Sequence, residues 1–383
     1  MLISHYGQLS AGEGVCLVAD PWQALSVATV GQSLALQSPV CWKVLRDRGA
    51  QITFAAAADA WVPCLRREGA FRPLTASRGA LSGAHLAYWY EVNRLLREHT
   101  WDLVQIQAPI SGALTRLAPN LRLARKVLYV AHGFHFHRDA TKVTNFAVSQ
   151  LEKVLAKRCD AVAVVSKEDF EDARLLNFDD FTVLWHLPGA GVDMNRFSTR
   201  SRPIPNLPEG YALFCGDFIE RKNPLLAVDA VTLVNKRGRP LPLVMIGSGP
   251  LLPRVEARAA WLADRGYFMH IPMTDKVAEY MAGAGIHLLP AWQEGLPRVV
   301  MEAMASGVYT IATSNRGTRE LLAAGGGSLM ARSSSAQDWA AAIESSISRP
   351  VPSHVIDFVI RNYSLSAFSA SYSALLDALG VPG

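Results

Sequence analysis

The sequence predicts an α/β protein built from two doubly wound halves, and three observations carry that expectation. Short apolar runs alternate with amphipathic stretches through most of the chain. A stretch rich in proline and glycine between Leu187 and Gly210 interrupts the alternation. The alternation then restarts. The first observation implies parallel βαβ units, the second a domain boundary, and the third a second sheet. Ligands of such sheets sit beyond the carboxyl ends of the strands.

Taken in order, Ser26–Val30 reads as a strand, and Pro39–Arg48 as the helix after it, with Ser38 as cap and Pro39 in the first turn. Gln51–Phe54 is a strand. A helix around Ala87–Glu98 precedes a short strand at Asp102–Gln105. Lys126–Ala131 is a strand and Asn145–Lys157 a helix. Ala161–Val165 and Lys167–Leu175 repeat that pair. The segment LPGAGVDMNRFSTRSRPIPNLPEG then carries four prolines and three glycines with no apolar period. After it come strands at Tyr211–Cys215, Leu243–Ile246, Tyr267–His270, Ile286–Leu289 and Tyr309–Ala312. Helices lie at Pro224–Lys236, within Gly249–Arg265, and at Lys276–Met281, Pro297–Ser306 and Arg319–Leu322. Ala336–Ile347 and Leu365–Leu379 are helical stretches that close the chain.

Composition removes whole classes of function. Of 383 residues, 50% are apolar and 19% charged, enough for a large core and incompatible with overall disorder. The long uncharged window from Pro21 to Trp42 holds too many Gln, Ser, Gly and Pro residues for a membrane span. With the first basic residue at Lys43, no signal peptide is expected. Five widely spaced cysteines without a C-x-x-C point to reduced, structural thiols in a cytoplasmic protein. The net charge is +5 and unevenly spread: between Ala60 and Lys126 ten Lys/Arg face four acids, with Trp61, Phe71, Tyr88, Trp89, Tyr90 and Trp101 interleaved. Basic groups beside amphipathic rings suit an anionic membrane surface, and equally a solvated basic face over core aromatics. Nucleic acid is disfavoured, because no nucleic-acid motif accompanies the stretch.

The most informative segment is AWQEGLPRVVMEAMASG, Ala291–Gly307. Pro297 suits a first helical turn and Gly307 a stop. Glu294 then lies in the loop before the helix and Glu302 inside it. A helix N-terminus offers unpaired N–H groups and a positive dipole, which suit a phosphate, while carboxylates on either side suit sugar hydroxyls. Taken alone, either Glu is as well explained by the helix dipole.

EGLPRVVMEAMASG resembles the E-x7-E signature of family 4 glycosyltransferases of GT-B fold. HGFHFH (His132–His137), WDLVQIQAP (Trp101–Pro109) and VVSKEDFEDA (Val164–Ala173) resemble the bacterial capsule and exopolysaccharide branch. GAGVDMNRF (Gly189–Phe197), CGDFIERKNP (Cys215–Pro224), IGSGP (Ile246–Pro250) and ATSNRGTRELL (Ala312–Leu322) follow in the family's order. The resemblance implies an acceptor-side domain over 1–187, a nucleotide-sugar domain over 188–362, and a C-terminal helix over 363–383 that crosses back to the first domain.

The resemblance further implies a retaining, metal-independent enzyme using a nucleotide-diphosphate sugar, UDP-linked, and no cofactor. In accord with that, no D-x-D pair occurs. It places the donor ribose on Glu302, the transferred sugar on Glu294, Gly295 and Leu296, and the diphosphate on Lys222, with Asn223 beside it. His132 is expected near the reacting centre across the cleft. Of its neighbours, His135 and His137 raise a metal cluster as an alternative, which the missing ligand spacing disfavours. Gly31, after the first strand, stands as a phosphate-loop glycine or as a simple turn residue, since the usual second glycine is absent. Asp217 stands where many members carry Arg, which makes Arg221 or Arg316 the candidate to compensate. The expected acceptor is a lipid-linked or other saccharide in capsule, exopolysaccharide or lipopolysaccharide synthesis, handled at the inner face of the membrane with peripheral contact through 60–126. A soluble small-molecule acceptor, or a catalytically silent sugar-nucleotide-binding scaffold, remains as the alternative reading. The related 2-epimerases are disfavoured by the E-x7-E and HGFH motifs.

Overall fold

A computed structural model describes residues 21–76, 83–136, 141–205 and 207–382. In the first half β1 (Gln23–Val30) leads into α1 (Gly31–Gln37) and α2 (Pro39–Asp47). There follow β2 (Gln51–Ala57), α3 (Val62–Glu68), β3 (Ala70–Pro73), α4 (Gly83–Glu98), β4 (Leu103–Gln107), α5 (Pro109–Leu117), β5 (Lys126–Ala131), α6 (Lys142–Ala156), β6 (Ala161–Val164), α7 (Lys167–Leu175) and β7 (Val183–His186). The second half holds β8 (Tyr211–Cys215), α8 (Pro224–Lys236), β9 (Leu243–Ile246), α9 (Leu252–Ala263), β10 (Phe268–Ile271), α10 (Val277–Gly283), β11 (Ala284–Leu289), α11 (Arg298–Ala305), β12 (Thr310–Thr313), α12 (Arg316–Leu322), β13 (Gly327–Met330) and α13 (Ala336–Ser346). The chain ends with α14 (Ser353–Tyr363) and α15 (Leu365–Ala378).

The strands form two separate parallel sheets, in the orders β3-β2-β1-β4-β5-β6-β7 and β10-β9-β8-β11-β12-β13. Strand order reverses between β1 and β4 in the first sheet and between β8 and β11 in the second. A crevice opens at the carboxyl ends of such pairs. The loops after β1, β4, β8 and β11 are therefore the ones positioned to hold a ligand. Every residue of β4 and β6 is buried, as helices on both faces of a parallel sheet require.

One face of the first sheet packs Trp42, Phe54, Leu103 and Leu128 with Phe368, Tyr372, Leu375 and Leu376 of α15. The last helix thus completes the core of the first half. The Tyr372 hydroxyl donates to buried Gln105, and Arg48 bonds Ser373 Oγ at 2.6 Å and Asp377 at 2.7 Å. The outgoing and returning crossovers run side by side: Val192 N–H donates to Tyr363 O at 2.8 Å and Leu365 N–H to Val192 O at 2.9 Å.

Several elements escape the sequence pattern. The helix α1 begins at Gly31 itself, a residue that the sequence leaves open between a phosphate loop and a simple turn. The elements α3, β3, α5, β7 and β13 are too short to set a period, whereas α14 does keep a helical period through buried Val355, Val359 and Tyr363. Pro297 is the cap of α11 rather than its first helical residue. Ser38 occupies the cap of α2 but bonds Gln107 instead of the helix end.

The basic stretch 60–126 does not form one surface. Trp61 and Phe71 pack toward the α15 face, while Tyr88 and Trp101 are buried in the opposite core. Arg116 is wholly buried, 2.8 Å from Glu152 and 3.8 Å from the centre of the Tyr129 ring. Tyr90, 65% exposed, does point outward. Periodicity tells inside from outside along one helix, but not which face of the sheet that helix will cover.

Candidate active site

The loop from β11 to α11 carries Glu294 and Gly295 into the cleft. Glu294 is nearly buried and holds the Lys222 ammonium 2.6 Å from Oε1, with Arg221 3.5 Å from Oε2. Arg221 is further fixed by donating to Gln293 O at 2.7 Å. Lys222 comes from the short 3-10 turn after β8, which closes on Asn223 in the left-handed region at φ 50°. Asn tolerates that conformation better than most residues, which accounts for its position at the start of α8. Asp217 lies in the same loop, next to Gly216.

Glu302 sits one turn into α11 and pairs with Arg298 at 3.1 Å. Burial pushes its carboxyl above the usual range, and Arg298 and Arg196 pull it back. Arg298 also donates to Leu36 O of the first half at 2.9 Å. Arg298 is not among the site residues expected from the sequence. Its signal was the four-residue spacing to Glu302, which puts the two side chains on one helix face.

Across the cleft, the loop after β5 presents His132. A Cβ built on Gly295 would stand 1.9 Å from His132 O, and one on Gly133 would stand 3.3 Å from Gly295 Cα. The two halves therefore meet backbone to backbone, and only glycine fits there. Leu296 turns away to pack against the linker at Gly189. His132 Nε2 lies 3.3 Å from Oε1 of buried Gln107 at the end of β4. An amide oxygen can only accept, so Nε2 carries the proton and Nδ1 keeps its lone pair. Desolvation lowers the ring to about 4, so His132 is neutral at working pH. Gln107 is a second residue that the sequence reading did not single out.

Two expected donor contacts are placed elsewhere. At Gly31, the Asp59 carboxylate accepts from Gln32 N–H at 2.7 Å, and a Cβ on Gly31 would meet Asp59 Oδ1 at 2.6 Å. A carboxylate already fills the start of α1 and would repel a phosphate, so the glycine serves the close approach of Asp59. Arg316, at the start of α12, is buried against Asp169 of α7, and its other nitrogen donates to Phe134 O at 3.1 Å and Phe136 O at 3.0 Å. It binds the loop that carries His132 instead of lying free for a diphosphate. Next to it, Arg319 holds Glu168 through both oxygens at 3.1 and 2.8 Å. Glu320 accepts from Lys167 N–H at 2.7 Å. The helix α12 thus clasps the N-terminus of α7 across the cleft.

His135 is exposed and His137 lies outside the described residues. Among the described residues, no three His, Cys, Asp or Glu side chains come together to hold a metal ion. No helix among them is long and apolar enough to cross a membrane.

A pH effect follows from two rings. Burial holds His132 near 4 and His287 near 3, well under the ordinary value of about 6.5. Below about pH 6.5 the unfolded chain takes up protons that the folded protein refuses, so this contribution is complete above that pH and is lost as pH falls toward 4. Asp169 and Glu302, raised by burial, act in the opposite sense. Melting curves of wild type and His132→Asn isolate the ring: the variant is expected to lose less Tm between pH 6.5 and 5. Equal losses would refute it.

Two sheets facing across a cleft, with a basic and acidic loop cluster on one side and a histidine loop on the other, define a sugar transferase of GT-B architecture. HepE of Anabaena, solved in complex with UDP and glucose, shares that architecture with a TM-score of 0.72 and 14% identity, over 93% of this chain and 100% of HepE. Residues 43–186 match the family model described as Glycosyltransferase Family 4, and residues 209–349 match Glycosyl transferases group 1, together about three quarters of the chain. The chain belongs to family 4 of the glycosyltransferases. Its relatives include EpsD of Bacillus subtilis, named as a glycosyltransferase, 27% identical over 71% of this chain and 74% of that one. Another is the UDP-Gal:alpha-D-GlcNAc-diphosphoundecaprenol alpha-1,3-galactosyltransferase of Escherichia coli. It is 22% identical over 60% of this chain and spans 62% of that relative's length.

Proposed function

We propose that this glycosyltransferase moves a sugar from a UDP-linked donor to a lipid-linked or other saccharide acceptor during capsule, exopolysaccharide or lipopolysaccharide assembly. It retains the anomeric configuration and needs no metal ion. One observation carries the reading: Glu294 and Glu302 flank the start of α11 while Lys222 reaches the same point from the loop after β8, opposite His132. The relatives' names and the UDP-glucose complex of the structural neighbour HepE support the choice of substrate class.

In the resting site each carboxylate is matched by a cation, Glu294 by Lys222 and Glu302 by Arg298. The donor exchanges these partners. The diphosphate takes Lys222 and the N–H groups of α11, which stabilise the charge that develops on the leaving group. Glu294 is then free to accept from hydroxyls of the transferred sugar, and Glu302 from those of the ribose. Neutral His132, with Nε2–H committed to Gln107, offers Nδ1 as an acceptor above the sugar. The acceptor hydroxyl attacks from the face the diphosphate leaves. Its proton passes to the departing phosphate oxygen, so no protein nucleophile is required. The backbone contact between Gly133 and Gly295 closes the cleft and excludes water.

Thermal shift against a panel of UDP-, GDP-, ADP- and dTDP-sugars tests this. A donor that binds the folded state alone raises Tm according to its affinity. One UDP-sugar is expected to stabilise the protein, and Lys222→Ala to weaken that donor by about 10- to 100-fold, the usual cost of a lost charge-assisted contact. Proton NMR of the product is expected to show the donor's anomeric configuration. No response to any sugar nucleotide, or an inverted product, would end the proposal.

A further inference from the structure

We infer that α6 is the surface through which this protein docks on an anionic lipid bilayer. The inference deepens the lipid-linked-acceptor reading by naming the element that meets the lipid. Val143, Phe146, Leu151 and Val154 of α6 are 81, 71, 47 and 61% exposed. With Ala147 and Gln150 they fall within an arc of about 140° on the helix. The opposite arc holds Glu152, Leu155 and Ala156, all buried against the sheet. The helix is therefore amphipathic twice over: one apolar stripe serves the core, and a second, about 16 Å long, faces solvent.

The charge around that second stripe has one sign. Lys142 and Lys153 line a single flank of it, and Lys157 caps the C-terminal end of the helix with its ammonium 5.4 Å from the centre of the Phe181 ring. The one acid of α6, Glu152, is buried and neutralised by Arg116 at 2.8 Å. The same outward layer continues through exposed Leu117 and Leu123, joined to the end of α6 where Arg158 donates to Ala118 O at 3.1 Å. Beyond them α4 presents Tyr90, Arg94 and Arg97, with Arg94 paired to Glu98 at 3.5 Å. Apolar side chains entering the headgroup boundary beside lysines that meet anionic lipid are the requirements of an interfacial helix. His135, in the loop that carries His132, lies close enough to α6 to feel the charge of Glu152. A lipid carrier held on this helix is thus brought near that loop.

The test is co-sedimentation of the full chain with phosphatidylcholine vesicles, with and without about 30% phosphatidylglycerol. Wild type is expected to partition onto the anionic vesicles and to release at high salt. Phe146→Asp combined with Val154→Asp is expected to lower partitioning at least about tenfold, and Lys142→Glu combined with Lys153→Glu to abolish its salt dependence. Phe146, Val154 and Lys142 are exposed and Lys153 is half-buried, so an unchanged Tm for each pair confirms that the fold is intact. Turnover on a soluble saccharide acceptor stays at the wild-type level, which separates failure here from failure of the transferase reading. Absent vesicle binding by wild type, or unaltered binding by Phe146→Asp/Val154→Asp, would overturn the inference. So would a dimer in ultracentrifugation that the same variant dissolves, since a second copy would then cover the stripe.

Discussion

Glu294→Gln is expected to lower kcat by about 10²- to 10³-fold, the range found when one preorganised contact to a developing charge is removed. Donor affinity should hold or tighten slightly. In the resting site Glu294 occupies the Lys222 ammonium at 2.6 Å, and the diphosphate must displace it. A neutral amide leaves Lys222 free for phosphate while losing the acceptor strength that a carboxylate offers to sugar hydroxyls. Binding and chemistry therefore move apart: calorimetry with UDP shows equal or tighter binding, and turnover collapses. Turnover within about fivefold of wild type would remove Glu294 from the reaction. A covalent glycosyl-enzyme species caught by mass spectrometry would replace same-face attack with a double displacement.

The second large effect belongs to the clasp between the halves. Arg316 and Asp169 form a buried ion pair, with Asp169 also accepting from Phe134 N–H at 3.2 Å. Arg316→Ala leaves a buried carboxylate without its cation, a change that costs about 3–5 kcal/mol. It also releases two carbonyls of the loop that carries His132. Urea unfolding is expected to show that loss, accompanied by a fall in kcat. Asp169→Asn on its own is expected to be milder, because Arg316, though left without its counter-ion, keeps Phe134 O and Phe136 O as acceptors. The double variant Arg316→Ala/Asp169→Asn is expected to be more stable than Arg316→Ala alone, the non-additivity of two groups in contact. If Arg316→Ala instead weakened UDP binding at unchanged stability, Arg316 would return to the donor site.

The contrast between Arg316 and Lys222 shows where a sequence stops being readable. Both are basic residues in loops at strand ends of the second half, and the motifs offered both for the diphosphate. Lys222 lies at Glu294, whereas Arg316 is drawn into the first half by Asp169, 147 residues earlier in the chain. The same holds for Gly31, whose helix start is filled by Asp59, and for Gln107, whose amide fixes the His132 tautomer. Each pairing joins residues far apart in sequence, and no local pattern reports it.

The alternation of apolar runs, the proline-rich break and the E-x7-E spacing were legible because they follow from helix and strand periods and from backbone chemistry, which act over a few residues. Two sheets, their parallel strands and the placement of both glutamates around one helix start needed nothing further. Which cation meets which carboxylate, which glycines touch across the cleft, and which apolar stripe of α6 is left facing water were settled by the packing of one half on the other. The stripe around Phe146 has the same period as a core face. Burial depends on what lies opposite a helix, and a single strand of letters does not contain that neighbour.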